Sequence, residues 1–320
     1  TGQNAVFNFT LPGGDMKKSV YDTKGRQEDV FEYVNKLLLN DNLIIGGDFS
    51  TNPWQRGTSF ESIGSNTYTA DRFRLFAQGK CTIIKDGIWL KMTPDTGNTG
   101  INSMAYYLDV PEILLGETLT LSFYAKASED ITYTLYVWNG KNITKSIATK
   151  TVNLTTDEQR IILTFTIPTT LTDNILHFWF NRMANMANKS IWISRVKLEY
   201  GSIATEFVSR SAGEELLLCQ RYYRSLPAYF SLNTVFAYTG RNNQFCLNLK
   251  PTMRITPTVD FANCKMMTTS SASAIQNVTF NTTASTPDML YINAVTENTT
   301  PNAVFVVNAE KGLTLDAEIY

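Results

Sequence analysis

The chain reads as an all-β protein: a jelly-roll β-sandwich followed by a second, smaller β domain, with a short N-terminal helix and a connecting helix. Three observations predict this. Runs that alternate apolar and polar residues recur between Leu43 and Gly201. Gly, Asn, Pro and Asp punctuate these runs at short intervals, as in sandwiches. Two distant segments, Asn42–Phe49 and Ile191–Gly201, read as an entry strand and an exit strand that open and close one sandwich.

Taken in order, residues 1–40 differ in kind from the rest. Phe7–Gly14 is a short extended piece ending in a turn signal, and Ser19–Arg26 is polar. Glu28–Leu39 then reads as a helix, with Val30, Phe31, Val34, Leu37 and Leu38 in one apolar stripe. A helix this short is marginal alone, so the stripe is expected to face the sandwich base or copies of itself. Residues 41–210 form the expected sandwich, with about ten strand candidates. In Thr118–Ala127, Leu119, Leu121, Phe123 and Ala125 face one way. In Ile131–Trp138, Ile131, Tyr133, Leu135 and Val137 do the same, and Asn139-Gly140 gives a hairpin-type turn. Arg160–Ile167 and Ile175–Phe180 are further strands.

Residues 211–320 begin with a helix over Glu214–Tyr223, a hinge or spacer. A Thr- and Asn-rich β unit follows. Its strands are expected near Phe245–Leu249, Thr258–Phe261, Asn277–Phe280, Leu290–Val295 and Ala303–Asn308, with a last one over Leu313–Ile319.

The 320 residues are long for one sandwich and suit two compact domains. Only 18% are charged, so the chain either hides surface in an oligomer or uses Thr and Asn as its polar face. A net charge of −1 leaves no electrostatic footprint for nucleic acid. No signal peptide or membrane span appears, and Thr1 reads as the start of a cut fragment. Cys81, Cys219, Cys246 and Cys264 form no CxxC pair, which argues against a zinc site; their wide, irregular spacing leaves disulfides open, and free buried thiols are the expectation for a cytosolically made protein.

Catalytic constellations are weak. The one histidine, His177, lies in an alternating strand with no nucleophile elbow beside it, so a sheet-face role is expected. Asp109, Glu112 and Glu117 could supply paired carboxylates, but they read as a solvated loop. Gly97–Gly100 is a turn, not a phosphate loop. No enzymatic activity and no cofactor are expected.

The strongest constellation comes from strand parity. If Leu121, Phe123, Leu135, Val137, Phe178 and Phe180 face the core, the opposite face carries Tyr124, Tyr136, Trp138, His177 and Trp179. Aromatic rings cover the C–H faces of sugars, and Lys126, Asn139 and Asn181 could bond the hydroxyl rim. Three readings of this face stay open: ligand site, subunit or domain interface, and ordinary core. Trp54 and Arg56 form a second candidate in the loop after the first strand, where a structural role competes with stacking and acid binding.

The ordered segments "IIGGDFSTNPWQRGTSF", "YTADRFRLF", "LSFYAKAS", "IWISRVKLEYGSIATEFVSRS" and "EELLLCQRYYRS" resemble the receptor-binding tips of bacteriophage tail fibres, which carry a carbohydrate-binding-module-like jelly roll. The resemblance covers roughly residues 43–224, and "FNFTLPGGDMKKSVYDTKGR" looks like the preceding fibre segment. It implies a homotrimer on the virion, made in the bacterial host cytoplasm and joined to upstream fibre or baseplate proteins. It also implies attachment to a host-surface glycan or protein, without nucleic-acid binding or membrane insertion. The alternatives are a fibre or baseplate connector with no receptor site, and a polysaccharide hydrolase or esterase. Such sugar modules often hold a structural calcium through an acid in the closing strand. Here Ser194 and Arg195 stand there and Asp48 supplies one carboxylate, too few for calcium, so no metal is expected.

Overall fold

Alternating side chains define several of the first set of strands, such as Trp89–Pro94 and Ile131–Asn139. A computed structural model describes residues 42–141, 143–226, 231–238, 242–262, 264–268, 274–275, 278–282, 284–295, 303–307 and 313–320. The expected N-terminal segment 1–40, its helix and the stripe Val30, Phe31, Val34, Leu37 and Leu38 lie outside the described residues. The chain divides at Asn42, and Leu43–Tyr320 is one unit.

That unit begins with eleven strands: β1 (Ser59–Ile63), β2 (Phe73–Ala77), β3 (Cys81–Asp86), β4 (Trp89–Pro94), β5 (Asn102–Asp109), β6 (Thr118–Ala127), β7 (Ile131–Asn139), β8 (Ser146–Leu154), β9 (Gln159–Thr166), β10 (Ile175–Arg182) and β11 (Ile191–Tyr200). They pair antiparallel into a six-stranded sheet, β1-β3-β4-β11-β6-β9, and a five-stranded sheet, β2-β5-β10-β7-β8. The expected inward residues Leu121, Phe123, Leu135, Val137, Phe178 and Phe180 are all 0% exposed and share one core between the sheets. The fold is an all-β jelly-roll sandwich, as the alternation predicts.

The expected entry strand Asn42–Phe49 is not a regular strand. It does run beside β11: Leu43 N donates to Leu198 O and Val196 N to Gly47 O, each at 2.9 Å. A bulge between Ser194 and Lys197 ends the pairing of β11 with β4, and residues 43–47 take over that side. Gly46 has φ +77°, and a Cβ on Gly47 would stand 2.2 Å from Val196 O. The glycine pair therefore lets the chain cross at a distance no other residue allows, and this breaks strand geometry.

Helix α1 (Ala212–Cys219) follows, with the Ser211 side chain accepting from Glu214 N as an N-cap. Next come β12 (Tyr223–Ser225), β13 (Ser231–Tyr238), β14 (Asn242–Asn248), β15 (Thr258–Asp260), β16 (Cys264–Thr268), β17 (Ala274–Ile275), β18 (Thr279–Thr282), β19 (Met289–Val295), β20 (Ala303–Val307) and β21 (Thr314–Asp316). They form sheets β12-β21-β15 and β17-β16-β20-β13-β14-β19-β18 around a separate apolar cluster that includes Phe245, Leu290, Ile292 and Leu315. All four cysteines are unpaired. None of the described helices is long and apolar enough to cross a membrane.

Ionic contacts bind this C-terminal part to the sandwich. Arg72, just before β2, forms an ion pair with Glu318, each side chain 1% exposed. The same guanidinium donates to Tyr107 O at 2.7 Å and lies 3.5 Å from the centre of the Tyr222 ring. Arg56 reaches Asp71, Asp316 and Glu318 and lies 3.5 Å from the Tyr223 ring centre. Arg254 grips Asp109 with bonds of 2.7 and 2.8 Å. Helix α1 is pinned as well, because Glu215 accepts from Gly46 N.

Removing one partner of a buried pair strands the other charge. Arg72→Met is therefore expected to cost about 3–5 kcal/mol in urea unfolding, with Arg72→Met/Glu318→Leu recovering much of it. Equal losses in the single and double variants would show that the pairing itself contributes nothing.

Candidate functional site

The outer face of the five-stranded sheet brings together four of the expected aromatic residues. Register places Trp138 opposite His177 and Tyr136 opposite Trp179 on β7 and β10. Tyr136 and Trp138, two residues apart and so on the same face, stack with centroids 4.6 Å apart and planes 1° apart. Trp138 meets Trp179 edge to face at 5.7 Å, and Trp179 lies 4.2 Å from Phe76. Tyr136 and Trp138 are half-buried, with Ile143 and Arg182 beside them. Together with Phe76, Gln78, Ile101 and Trp179 they line a cleft of about 180 Å³. The Arg182 guanidinium stands 5.5 Å from the Tyr136 ring centre. This arrangement offers an aromatic floor, a cation and an amide.

His177 and Trp179 are on the predicted face, but they are buried and support the site instead of lining its mouth. Trp179 Nε1 donates to His177 Nε2 at 2.7 Å. The imidazole also packs 4.2 Å from Tyr107. Burial, helped by the Arg74 charge, pushes the His177 pKa down to about 3, so the ring is neutral at pH 7. Nε2 is thereby occupied as an acceptor and is not placed for general-base work. Ile319 packs against Tyr107 and Ile175, and Tyr68 meets Tyr320 edge to face, so the end of the chain covers one part of the same sheet.

Five expected site residues stand elsewhere: Tyr124, Asn181, Trp54, Arg56 and Lys126, the last on β6 of the six-stranded sheet beside Trp192. Tyr124 is on the opposite outer face, because β6 belongs to the six-stranded sheet, and its ring lies 3.7 Å from the Arg195 guanidinium. Asn181 turns inward: a bulge between Trp179 and Arg182 reverses the alternation, and its Oδ1 accepts from Met104 N at 2.8 Å. Arg182 takes the outward place that parity assigns to Asn181. Trp54 is in the core, with Nε1 donating to Phe49 O at 3.0 Å, so its ring is not presented to a ligand. Arg56 is consumed by three carboxylates and two tyrosine rings. Asn139 is half-buried and its Oδ1 accepts from Thr172 N at 2.6 Å, which ties the end of β7 to the turn before β10. That loop is longer than the two-residue turn that Asn139-Gly140 suggests, since Trp138 pairs with Ser146.

The carboxylates considered for hydrolysis are likewise committed or dispersed. Asp109 is held by Arg254. Glu112 lies in a short 3-10 turn (Glu112–Leu114) beyond the end of β5. At Asp48, burial acts to raise the pKa, but hydrogen bonds from Ser209 and Ser50 outweigh it and hold the carboxyl below its usual range. No group of three or more His, Cys, Asp or Glu among the described residues is placed to hold a metal ion.

Sequence reasoning missed Arg182, Phe76 and Gln78. Phe76 and Gln78 follow one another at strand spacing in "FRLFAQ", a signal that was readable, whereas the bulge that turns Arg182 outward has no sequence signature here.

No protein-family model and no curated protein sequence matches the chain. Among solved structures, a module described as "CBM4 structure and function" is similar at 18% identity over 48% of this chain and 100% of its own, with a TM-score of 0.33. The N-terminal cellulose-binding domain of Cellulomonas fimi β-1,4-glucanase C is 17% identical over 46% of this chain and 97% of its own, with a TM-score of 0.30. The enzymatically active domain of bacteriophage CBA120 tailspike protein 4 is 11% identical over 50% of this chain but 21% of its own, with a TM-score of 0.32.

Because the sequence has one histidine, its titration is unambiguous. The His177 C2–H signal in proton NMR is expected to hold its shift from neutral pH down to the onset of unfolding. The linked effect has a definite sign. The unfolded chain takes up a proton near pH 6.5 and the folded one near 3, so this contribution is complete above 6.5 and is lost as the pH falls. Relative to His177→Gln, the wild type should lose up to about 1.4 kcal/mol per pH unit in that window. A midpoint near 6.5 in the folded protein would refute the buried, neutral assignment.

Proposed function

We propose that the sandwich is a non-catalytic glycan-binding module and that the chain is a fibre tip attaching a phage virion to its host. The observation that carries the glycan reading is the parallel Tyr136–Trp138 pair at the mouth of a shallow cleft. The two parallel, stacked rings form one apolar block, whose open ring face and edges can cover the C–H face of a pyranose. Arg182 and Gln78 beside them supply donors for ring hydroxyls. At about 180 Å³ the cleft is smaller than the usual site for an enclosed ligand, which suits one sugar unit of a longer chain.

The fibre-tip reading rests on the ordered motifs quoted above. It carries the homotrimer, the virion location and the fibre or baseplate neighbours with it. A trimer would present three such clefts on one rigid particle, so each site would need only modest affinity for strong overall attachment. The state of His177 supports a binding role over a catalytic one, since the sole imidazole is buried and already accepts from Trp179.

Glycan-array and whole-cell binding test this reading. Trp138→Ala and Tyr136→Ala should each weaken binding by about tenfold or more per site, while circular dichroism and the solution mass stay unchanged. Binding that survives both substitutions in folded protein would exclude the cleft. A solution mass of one protomer would remove the trimer, and release of reducing ends or acetate from host capsule would replace binding with hydrolysis.

A further inference from the structure

Charge on the five-stranded sheet is one-sided. Its strands β2, β5, β10, β7 and β8 carry a single carboxylate, Asp109, at the end of β5. Register sets Asp109 against Ile175, the first residue of β10, and Arg254 already neutralises it. Arg182 is the last residue of β10, at the opposite end of that strand. Among the described residues that line the Tyr136–Trp138 cleft, Arg182 alone is charged. The described residues give it no ion pair, and its guanidinium stands 5.5 Å from the Tyr136 ring centre.

Hydrogen-bond polarity in the cleft points the same way. Gln78 Oε1 already accepts from Ile101 N at 2.9 Å, which leaves the NH2 as the amide's unpartnered group among the described residues. Trp179 Nε1 is spent on His177. The Tyr136 hydroxyl is the remaining acceptor among the lining side chains, and a phenol donates equally well. The cleft therefore offers mainly donors and one uncompensated positive charge. A neutral sugar presents hydroxyls, which donate as well as accept, whereas a carboxylate only accepts. A guanidinium is also the fork that grips a carboxylate through two parallel hydrogen bonds.

We propose that the cleft takes an acidic glycan whose bound unit carries a carboxylate, as a hexuronic acid does. The carboxylate meets Arg182, the sugar's C–H face covers the Tyr136–Trp138 block, and Gln78 adds a donor at the rim. This rests on the glycan reading of the same cleft and narrows it to one substrate class. Charge selects the occupant, because a neutral unit would displace water from Arg182 without bringing a counter-charge, and no carboxylate lines the cleft among the described residues.

Calorimetric titration of the full chain with oligoglucuronate, oligogalacturonate and oligomannuronate, each beside its carboxyl-reduced neutral form, tests the proposal. At least one acid should bind about tenfold or more tightly than its reduced form, and raising NaCl to ~0.5 M should shrink the difference. Arg182→Gln should cut that advantage to about threefold or less, while Arg182→Lys, which keeps the charge but not the fork, should retain part of it. Circular dichroism should match the wild type in both variants. Equal affinity for acid and reduced forms, both weakened in Trp138→Ala, would overturn the acidic specificity and leave the glycan cleft standing. Binding of neither form in any pair would remove the cleft reading and the proposal together. An acid preference that persists in Arg182→Gln, or acid binding undiminished in Trp138→Ala, would put the carboxylate elsewhere and overturn the proposal.

Discussion

The buried pairing of Arg72 with Glu318 is the constraint on which the rest of the unit depends. A guanidinium is taken out of water, and it is tolerable there because a carboxylate, a backbone carbonyl and a tyrosine face all converge on it. Its partner comes from the far end of the chain, so the pair can form only when the C-terminal sheets are seated on the sandwich. Arg56 and Asp71 extend the same network. Burial raises the Asp71 carboxyl to about 6 despite Arg56 beside it, a measure of how dry the junction is.

This junction explains why several conspicuous sequence motifs are not binding residues. Asp71-Arg72 of "ADRF", Arg56 of "WQRG" and Tyr222-Tyr223 of "CQRYY" are far apart in sequence and meet in one place. Their chemistry, cations against carboxylates and tyrosine rings, is what a ligand site would also use. Here the ligand is the chain itself. The same seating brings Ile319 and Tyr320 over part of the five-stranded sheet. The Tyr136–Trp138 cleft lies on that sheet too, and a second aromatic surface faces away on the other.

Much of the sandwich could be read from alternation. In Ile131–Asn139 one face is buried and the other is exposed or half-buried, so hydropathy follows the pleat; in Thr118–Ala127 the outer face is polar by sequence, although Thr120 and Ser122 on it are buried. Phe73–Ala77 and Asn102–Asp109 are buried on both faces, because the C-terminal segment and neighbouring aromatic residues cover the outer one, and their alternation is erased. In the C-terminal part, short strands such as Met289–Val295 and Thr258–Asp260 were legible from Thr- and Asn-flanked apolar runs. Asn42–Phe49 was legible as a neighbour of β11 but not as an irregular segment, because glycine conformation depends on what it must pass.

For the candidate sites, the residues themselves decide which side chains share a face of one strand: the pleat has period two, and Tyr136 with Trp138 follows from it. Only the assembled fold decides which sheet a strand joins, and this separates Tyr124 from Tyr136 and places Trp192 between two lysines. It also decides where a bulge reverses the pleat, and so exchanges Asn181 for Arg182. The reason is that strand parity is a property of local backbone geometry. Pairing partners, bulges and burial of the second face are instead set by residues distant in sequence that compete for the same hydrogen bonds and the same apolar surface.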